Sequence, residues 1–114
     1  MDIRSKIILV SGPTASGKSR LAVFLAKRIR GEIINADSMQ VYKELNILTA
    51  RPSLKQKSKI KHHLYGFLSV KKKFSTGQWL KLALKKIKEI KKNNKTPILV
   101  GGTGLYFKAL VDGL

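Results

Sequence analysis

The stretch Gly12-Pro13-Thr14-Ala15-Ser16-Gly17-Lys18-Ser19 constrains this chain more than any other. It fits the phosphate-loop pattern G-x-x-x-x-G-K-[ST] at every fixed position. The preceding Lys6-Ile7-Ile8-Leu9-Val10 is a short apolar run that reads as a buried strand, and a helix follows the loop. Strand, glycine loop and helix start, in that order, set backbone N–H groups and the positive end of a helix around a polyphosphate. Gly12 to Ser19 are therefore the candidate diphosphate- or nucleotide-binding residues. Lys18 is expected to reach the terminal phosphates, and the Ser19 hydroxyl to hold Mg²⁺.

The rest of the chain reads as an α/β unit. Helix one is expected from about Lys18 to Arg30, with Leu21, Leu25 and Ile29 at helical spacing and Gly31 as its left-handed cap. Glu32-Ile33-Ile34-Asn35-Ala36 reads as strand two, the opening of a parallel sheet. Asp37-Ser38-Met39-Gln40 leads into a short helix, with Asp37 or Ser38 as a candidate cap. Residues 51–73 lose periodicity and carry many lysines, the usual pattern of a solvated surface or a loop facing nucleic acid. His62-His63 has no partner ligands in sequence, which favours a structural role over metal binding. Ser75 or Thr76 caps the next helix, whose Leu80, Ala83, Leu84, Ile87 and Ile90 form an apolar stripe opposite lysines. Asn93-Asn94 ends it. Pro97-Ile98-Leu99-Val100 is strand three, and Gly101-Gly102-Thr103-Gly104 turns into a last helix from Leu105 to about Val111.

Composition narrows the setting. The 114 residues allow one domain, with 43% hydrophobic residues for a core. There is no cysteine, so disulfides and cysteine-based zinc sites are excluded. The charged start shows no signal peptide, and no apolar run approaches membrane-spanning length. A cytoplasmic protein without membrane contact is expected. The net charge of +18, from 24 Lys and Arg against 6 Asp and Glu, would draw nucleic acid to its surface.

Scarce acids make Asp37 conspicuous at the end of strand two, where open α/β sheets place ligand-contacting groups. Phosphate-loop ATPases commonly carry an acid after a later strand. Here that strand ends in Gly101-Gly102-Thr103-Gly104, which weakens an ATPase or GTPase reading. Asp37 and Thr103 flanking a polyphosphate cradle suit group transfer with pyrophosphate leaving and Asp37 as general base.

These segments together resemble the tRNA dimethylallyltransferases, also called tRNA isopentenyltransferases. The resemblance lies in Gly12–Ser19, Asn35-Ala36-Asp37-Ser38-Met39-Gln40-Val41-Tyr42, Thr49-Ala50-Arg51-Pro52, His62-His63-Leu64, Phe74-Ser75 and Val100-Gly101-Gly102-Thr103-Gly104-Leu105-Tyr106. It implies a phosphate-loop NTPase-like parallel sheet with flanking helices. The implied activity moves a dimethylallyl group from dimethylallyl diphosphate to N6 of an adenosine beside the tRNA anticodon. By the same resemblance Asp37 and Thr103 are catalytic, and Asp37, Ser38, Met39, Gln40 and Thr103 meet the tRNA. Adenylate isopentenyltransferases share the loop and are the nearest relatives to confuse with it.

Family members run well past Leu114. Residues 1–114 thus read as the N-terminal part of the catalytic core, without the helical insertion that grips the anticodon arm; the full-length protein is expected to be a monomer. An unpaired sheet edge and an exposed apolar face are expected in this piece. A small nucleoside or nucleotide kinase and a non-catalytic RNA-binding remnant stay open as alternatives.

Overall fold

Two of the strands, β2 (Gly31–Asn35) and β4 (Thr96–Gly101), are buried along nearly their whole length. Strands with near-continuous apolar runs of this kind belong inside a parallel sheet covered on both faces. The structure, a computed structural model, describes residues 7–12, 17–42, 59–69, 71–101 and 104–113. Its sheet has the order β1-β4-β2-β3, with β1 at Ile8–Ser11 and β3 at His62–His63, and all pairs are parallel. The register sets Val10 against Val100 and Ile34 against Leu99.

Alternation along the strands divides the core. Val10, Ile33, Ile98 and Val100 face helix α1 (Lys18–Ile29) and pack on Ala22, Val23 and Ala26. Ile34, Ala36 and Leu99 face the other side, under helices α2 (Thr76–Lys92) and α3 (Gly104–Gly113). There Trp79, Ala83, Ile87 and Ile90 of α2 are buried, and the Trp79 ring stacks on Tyr106 of α3 at 4.4 Å. Ser75 caps α2 through a reciprocal box. Its hydroxyl accepts from the Gln78 N–H at 3.1 Å, and the Gln78 side chain accepts from the Ser75 N–H at 2.8 Å.

Three expectations change. The sheet has four strands rather than three, because His62–His63 pairs beside β2. Two residues are too few to show a strand period, and their pairing rests on the Ile33 N–H bonded to the Lys61 carbonyl and on a side-chain contact to Glu32. The buried face of α1 is Ala22, Val23 and Ala26, while Leu21 and Ile29 lie outside, 49% and 39% exposed. Small residues let the helix axis approach the sheet, so the larger ones are turned out. The left-handed residue that ends α1 is Arg30, at φ 56°, and Gly31 already belongs to β2.

Gly31 is glycine for lack of room. A Cβ there would meet Ile98 Cδ1 at 2.7 Å, the Thr96 carbonyl at 3.0 Å and the Ala26 Cα at 3.2 Å. Gly101 is tighter still, because a Cβ would lie 2.5 Å from the Ala36 carbonyl oxygen and 2.8 Å from its carbon. β1 and β3 end the sheet among the described residues, and Leu9, Leu21 and Phe24 are exposed.

Gly31→Ala is expected to cost about 1–3 kcal/mol in a urea titration, the usual penalty of overpacking. Gly101→Ala should cost more, since its contacts are backbone atoms that cannot swing away.

Candidate active site

The candidate residues gather where the strands end. β1 and β2 are successive through α1 yet lie two places apart, with β4 between them. Their carboxyl ends, with that of β4, form the edge at which open α/β sheets bind ligands. The described part of the phosphate loop opens with Gly12 after β1 and closes with Gly17 before α1. Pro13, Thr14, Ala15 and Ser16 lie outside the described residues, as does Thr103.

Lys18 is 6% exposed, and its Nζ donates to the Gly12 carbonyl at 2.7 Å, spanning the loop from end to beginning. This holds the ammonium at the loop instead of in bulk water. Gly17 takes φ 79°, the left-handed N-cap of α1, and no side chain caps the helix there. The first turn of α1 also carries no acidic residue. Among the described residues, then, no side-chain cap and no acid offset the positive dipole end of this helix start, which suits an anion. Ser19 is half-buried in that first turn.

At the end of β2, Asn35 is fully buried and its side chain brackets Asp37. Its Oδ1 accepts from the Asp37 N–H at 2.8 Å, while its Nδ2 donates to the Asp37 carbonyl at 2.9 Å and to the Leu64 carbonyl at 3.0 Å. The Asn35 carbonyl in turn accepts from Trp79 Nε1 at 2.7 Å. Asp37 is half-buried, and Ser38–Val41 continue as a 3₁₀ turn whose backbone includes Met39 and Gln40. The Tyr106 phenol is pushed above its ordinary value of 10 chiefly by burial, with Tyr42 and the Asp37 carboxylate adding to the effect.

A second acid, this one buried, lies at the opposite end of β2. Glu32 receives His63 Nε2 at 2.7 Å and Lys95 Nζ at 3.3 Å, which ties β2 to β3 and to the entry of β4. His62 Nδ1 meets the Ile60 carbonyl at 2.8 Å. The histidine pair thus has the structural role that was expected. Asn35, Trp79 and Tyr106 stand at this edge without a site role having been read for them in the sequence. A polar Asn inside an apolar strand, two residues before an acid, was the available signal for the first.

The family model described as IPP transferase matches residues 40–114. The chain belongs to the IPP transferase family. A tRNA dimethylallyltransferase of Pelagibacter ubique is 68% identical over 114 residues, which is all of this chain and 36% of that protein. One from Rickettsia canadensis is 58% identical over 96% of this chain and 34% of its own length. Among solved structures, the full-length tRNA isopentenylpyrophosphate transferase of Bacillus halodurans superposes with TM-score 0.88 at 40% identity, over 97% of this chain and 37% of that one. The tRNA delta(2)-isopentenylpyrophosphate transferase of Staphylococcus epidermidis gives 0.84 at 43% identity, over 91% of this chain and 34% of that one. The chain thus spans about a third of the length of the curated relatives it matches. The family and its phosphate-loop NTPase-like fold are as the sequence resemblance implied, the chain being part of that fold.

Burial alone would raise the Glu32 carboxyl, but hydrogen bonds from His63 and Lys95, and their charges, outweigh it and hold it below its ordinary value of 4.5. A depressed folded value means stability that is present above the unfolded value and lost as pH falls through the folded one. Glu32→Gln should therefore destabilise the fold at pH 7 by about 1–3 kcal/mol. It should also flatten the acid limb below about pH 4.5 in urea midpoints measured against pH.

Proposed function

We propose that this chain is the phosphate-loop part of an enzyme that prenylates tRNA. In this reading a dimethylallyl group passes from dimethylallyl diphosphate to N6 of an adenosine next to the anticodon. The observation that carries the reading is the pairing of a polyphosphate cradle at Lys18 with Asp37, the one acidic residue at the carboxyl edge among the described residues. Relatives named tRNA dimethylallyltransferase, and a solved eukaryotic dimethylallyltransferase acting on tRNA (TM-score 0.84, 36% identity, 91% of this chain and 26% of that one), support it.

The chemistry follows from what the residues can do. An adenine amino group is a poor nucleophile, because its lone pair is conjugated with the ring. As N6 bonds the allylic carbon, the carbon–oxygen bond to the diphosphate breaks and its electron pair leaves with pyrophosphate. The N6 proton becomes acidic in that step, and the Asp37 carboxylate accepts it. Negative charge grows on the leaving group, where the Lys18 ammonium and the start of α1 stabilise it. Among the described residues no three His, Cys, Asp or Glu could hold a metal on their own. The Ser19 hydroxyl would instead hold a Mg²⁺ bound together with the diphosphate, which would neutralise phosphate charge. By family resemblance Thr103 lies near the reacting centre, and the Asp37–Gln40 segment meets the target nucleotide.

The adenosine must leave its stack for N6 to reach Asp37. The +18 charge supplies phosphate attraction for the tRNA, and the cytoplasm is where these substrates meet it.

The full-length protein, given labelled dimethylallyl diphosphate and unmodified tRNA, is expected to incorporate label into tRNA. Asp37→Asn should lower kcat about 10²–10⁴-fold, the usual worth of a general base, with tRNA affinity within about threefold. A folded protein that incorporates no label would overturn the reading, and phosphorylation of a nucleoside by ATP would point to a kinase.

A further inference from the structure

Asn35 is one of the few polar residues buried in the core of the described chain, alongside Lys18 and Glu32. Its side chain spends itself on backbone. One oxygen and two N–H groups bind both peptide groups flanking the Asp37 Cα and the Leu64 carbonyl, at 2.8, 2.9 and 3.0 Å. The amide has two donors, and both are used, so its orientation follows from the pairing. Leu64 itself takes φ 65°, a left-handed conformation that costs a Leu about 1–3 kcal/mol and persists only where neighbours hold it. The main-chain carbonyl of Asn35 is in turn pinned by the Trp79 indole, which is fully buried and stacked on Tyr106.

We propose that Asn35 is a positioning residue for Asp37. Its buried amide clamps the Asp37 backbone from both sides and locks it to the Leu64 turn, so that the loops after β2 and β3 present the carboxylate as one rigid unit. The inference rests on the reading of Asp37 as the proton acceptor. A general base must meet its proton at hydrogen-bond distance, and an error of about 1 Å can cost 10²-fold. A carboxylate on a free loop would wander by more than that. With its backbone fixed at N–H and C=O, only the side-chain torsions of Asp37 remain to be set.

A double-mutant cycle in the full-length protein tests this, read by prenyl transfer and by hydrogen exchange. Asn35→Ala is expected to lower kcat about 10–100-fold, with KM for both substrates within about threefold. Asn35→Ser keeps an acceptor for the Asp37 amide, so it should recover part of the rate; it also serves where the Ala variant fails to fold. In an Asp37→Asn background the same change should leave the residual rate within about threefold, because the clamp then has no base to position. Exchange of the Asp37 amide should speed at least about tenfold in Asn35→Ala, with the Ile34 and Leu99 amides of the sheet unchanged.

An undiminished loss in the Asp37→Asn background, or unchanged exchange at Asp37, overturns the clamp. Wild-type turnover of Asp37→Asn alone would instead remove the base reading, and the proposal with it. The two failures therefore read differently.

Discussion

The placement of β4 between β1 and β2 is the constraint from which the rest of this structure follows. Parallel strands joined through α1 cannot be neighbours once another strand takes the place between them, so their carboxyl ends stand apart with the end of β4 in the middle. The phosphate loop leaves one side of that edge and Asp37 the other. Two glycines allow the insertion: Gly31 lets α1 settle over Ile98 and Thr96, and Gly101 lets the end of β4 pass against Ala36. The separation of cradle and carboxylate is thus a property of strand order and not of the loops themselves.

Lys18, Glu32 and Asn35 divide the polar work of the interior between the two ends of the sheet. At the amino end, Glu32 gathers His63 and Lys95, and three chain segments are held by one carboxylate. A buried charge is tolerated only when partnered, and here the Lys95 ammonium and the His63 ring offset the desolvation. At the carboxyl end, Lys18 closes the phosphate loop and Asn35 closes the Asp37 turn. The amino end is thus tied by Glu32 and its two partners, while the candidate site residues follow the carboxyl ends of the strands. Trp79 joins the core layer under α2 and α3 to this arrangement: its ring stacks on Tyr106 of α3, and its N–H reaches the last carbonyl of β2.

Much of this was legible before any coordinates. The glycine spacing of Gly12–Ser19 and the apolar runs around it specify strand, loop and helix, because only that local geometry satisfies both patterns. The Ser75 cap and the Ala83–Ile87–Ile90 stripe likewise follow from short-range rules, and the structure has them where expected. Asp37 stood out because acids are scarce and it follows an apolar strand. What escaped was everything that depends on partners far along the chain. His62–His63 becomes a strand through partners some thirty residues earlier, the Ile33 N–H that bonds the Lys61 carbonyl and the Glu32 side chain that holds His63. Arg30 rather than Gly31 takes the left-handed turn, because the crowding that requires glycine comes from Ile98 and Thr96.

By itself, then, the sequence determined the phosphate loop, the α/β class and the family, all of which are written in local spacing and motif order. The fourth strand, the inward face of α1 and the hydrogen bonds of Asn35 arise only from tertiary contacts. The physical reason is the range of the interactions. A motif is read from residues a few positions apart, whereas a buried amide finds its second carbonyl twenty-nine residues away, and only packing of the whole sheet brings the two within 3.0 Å.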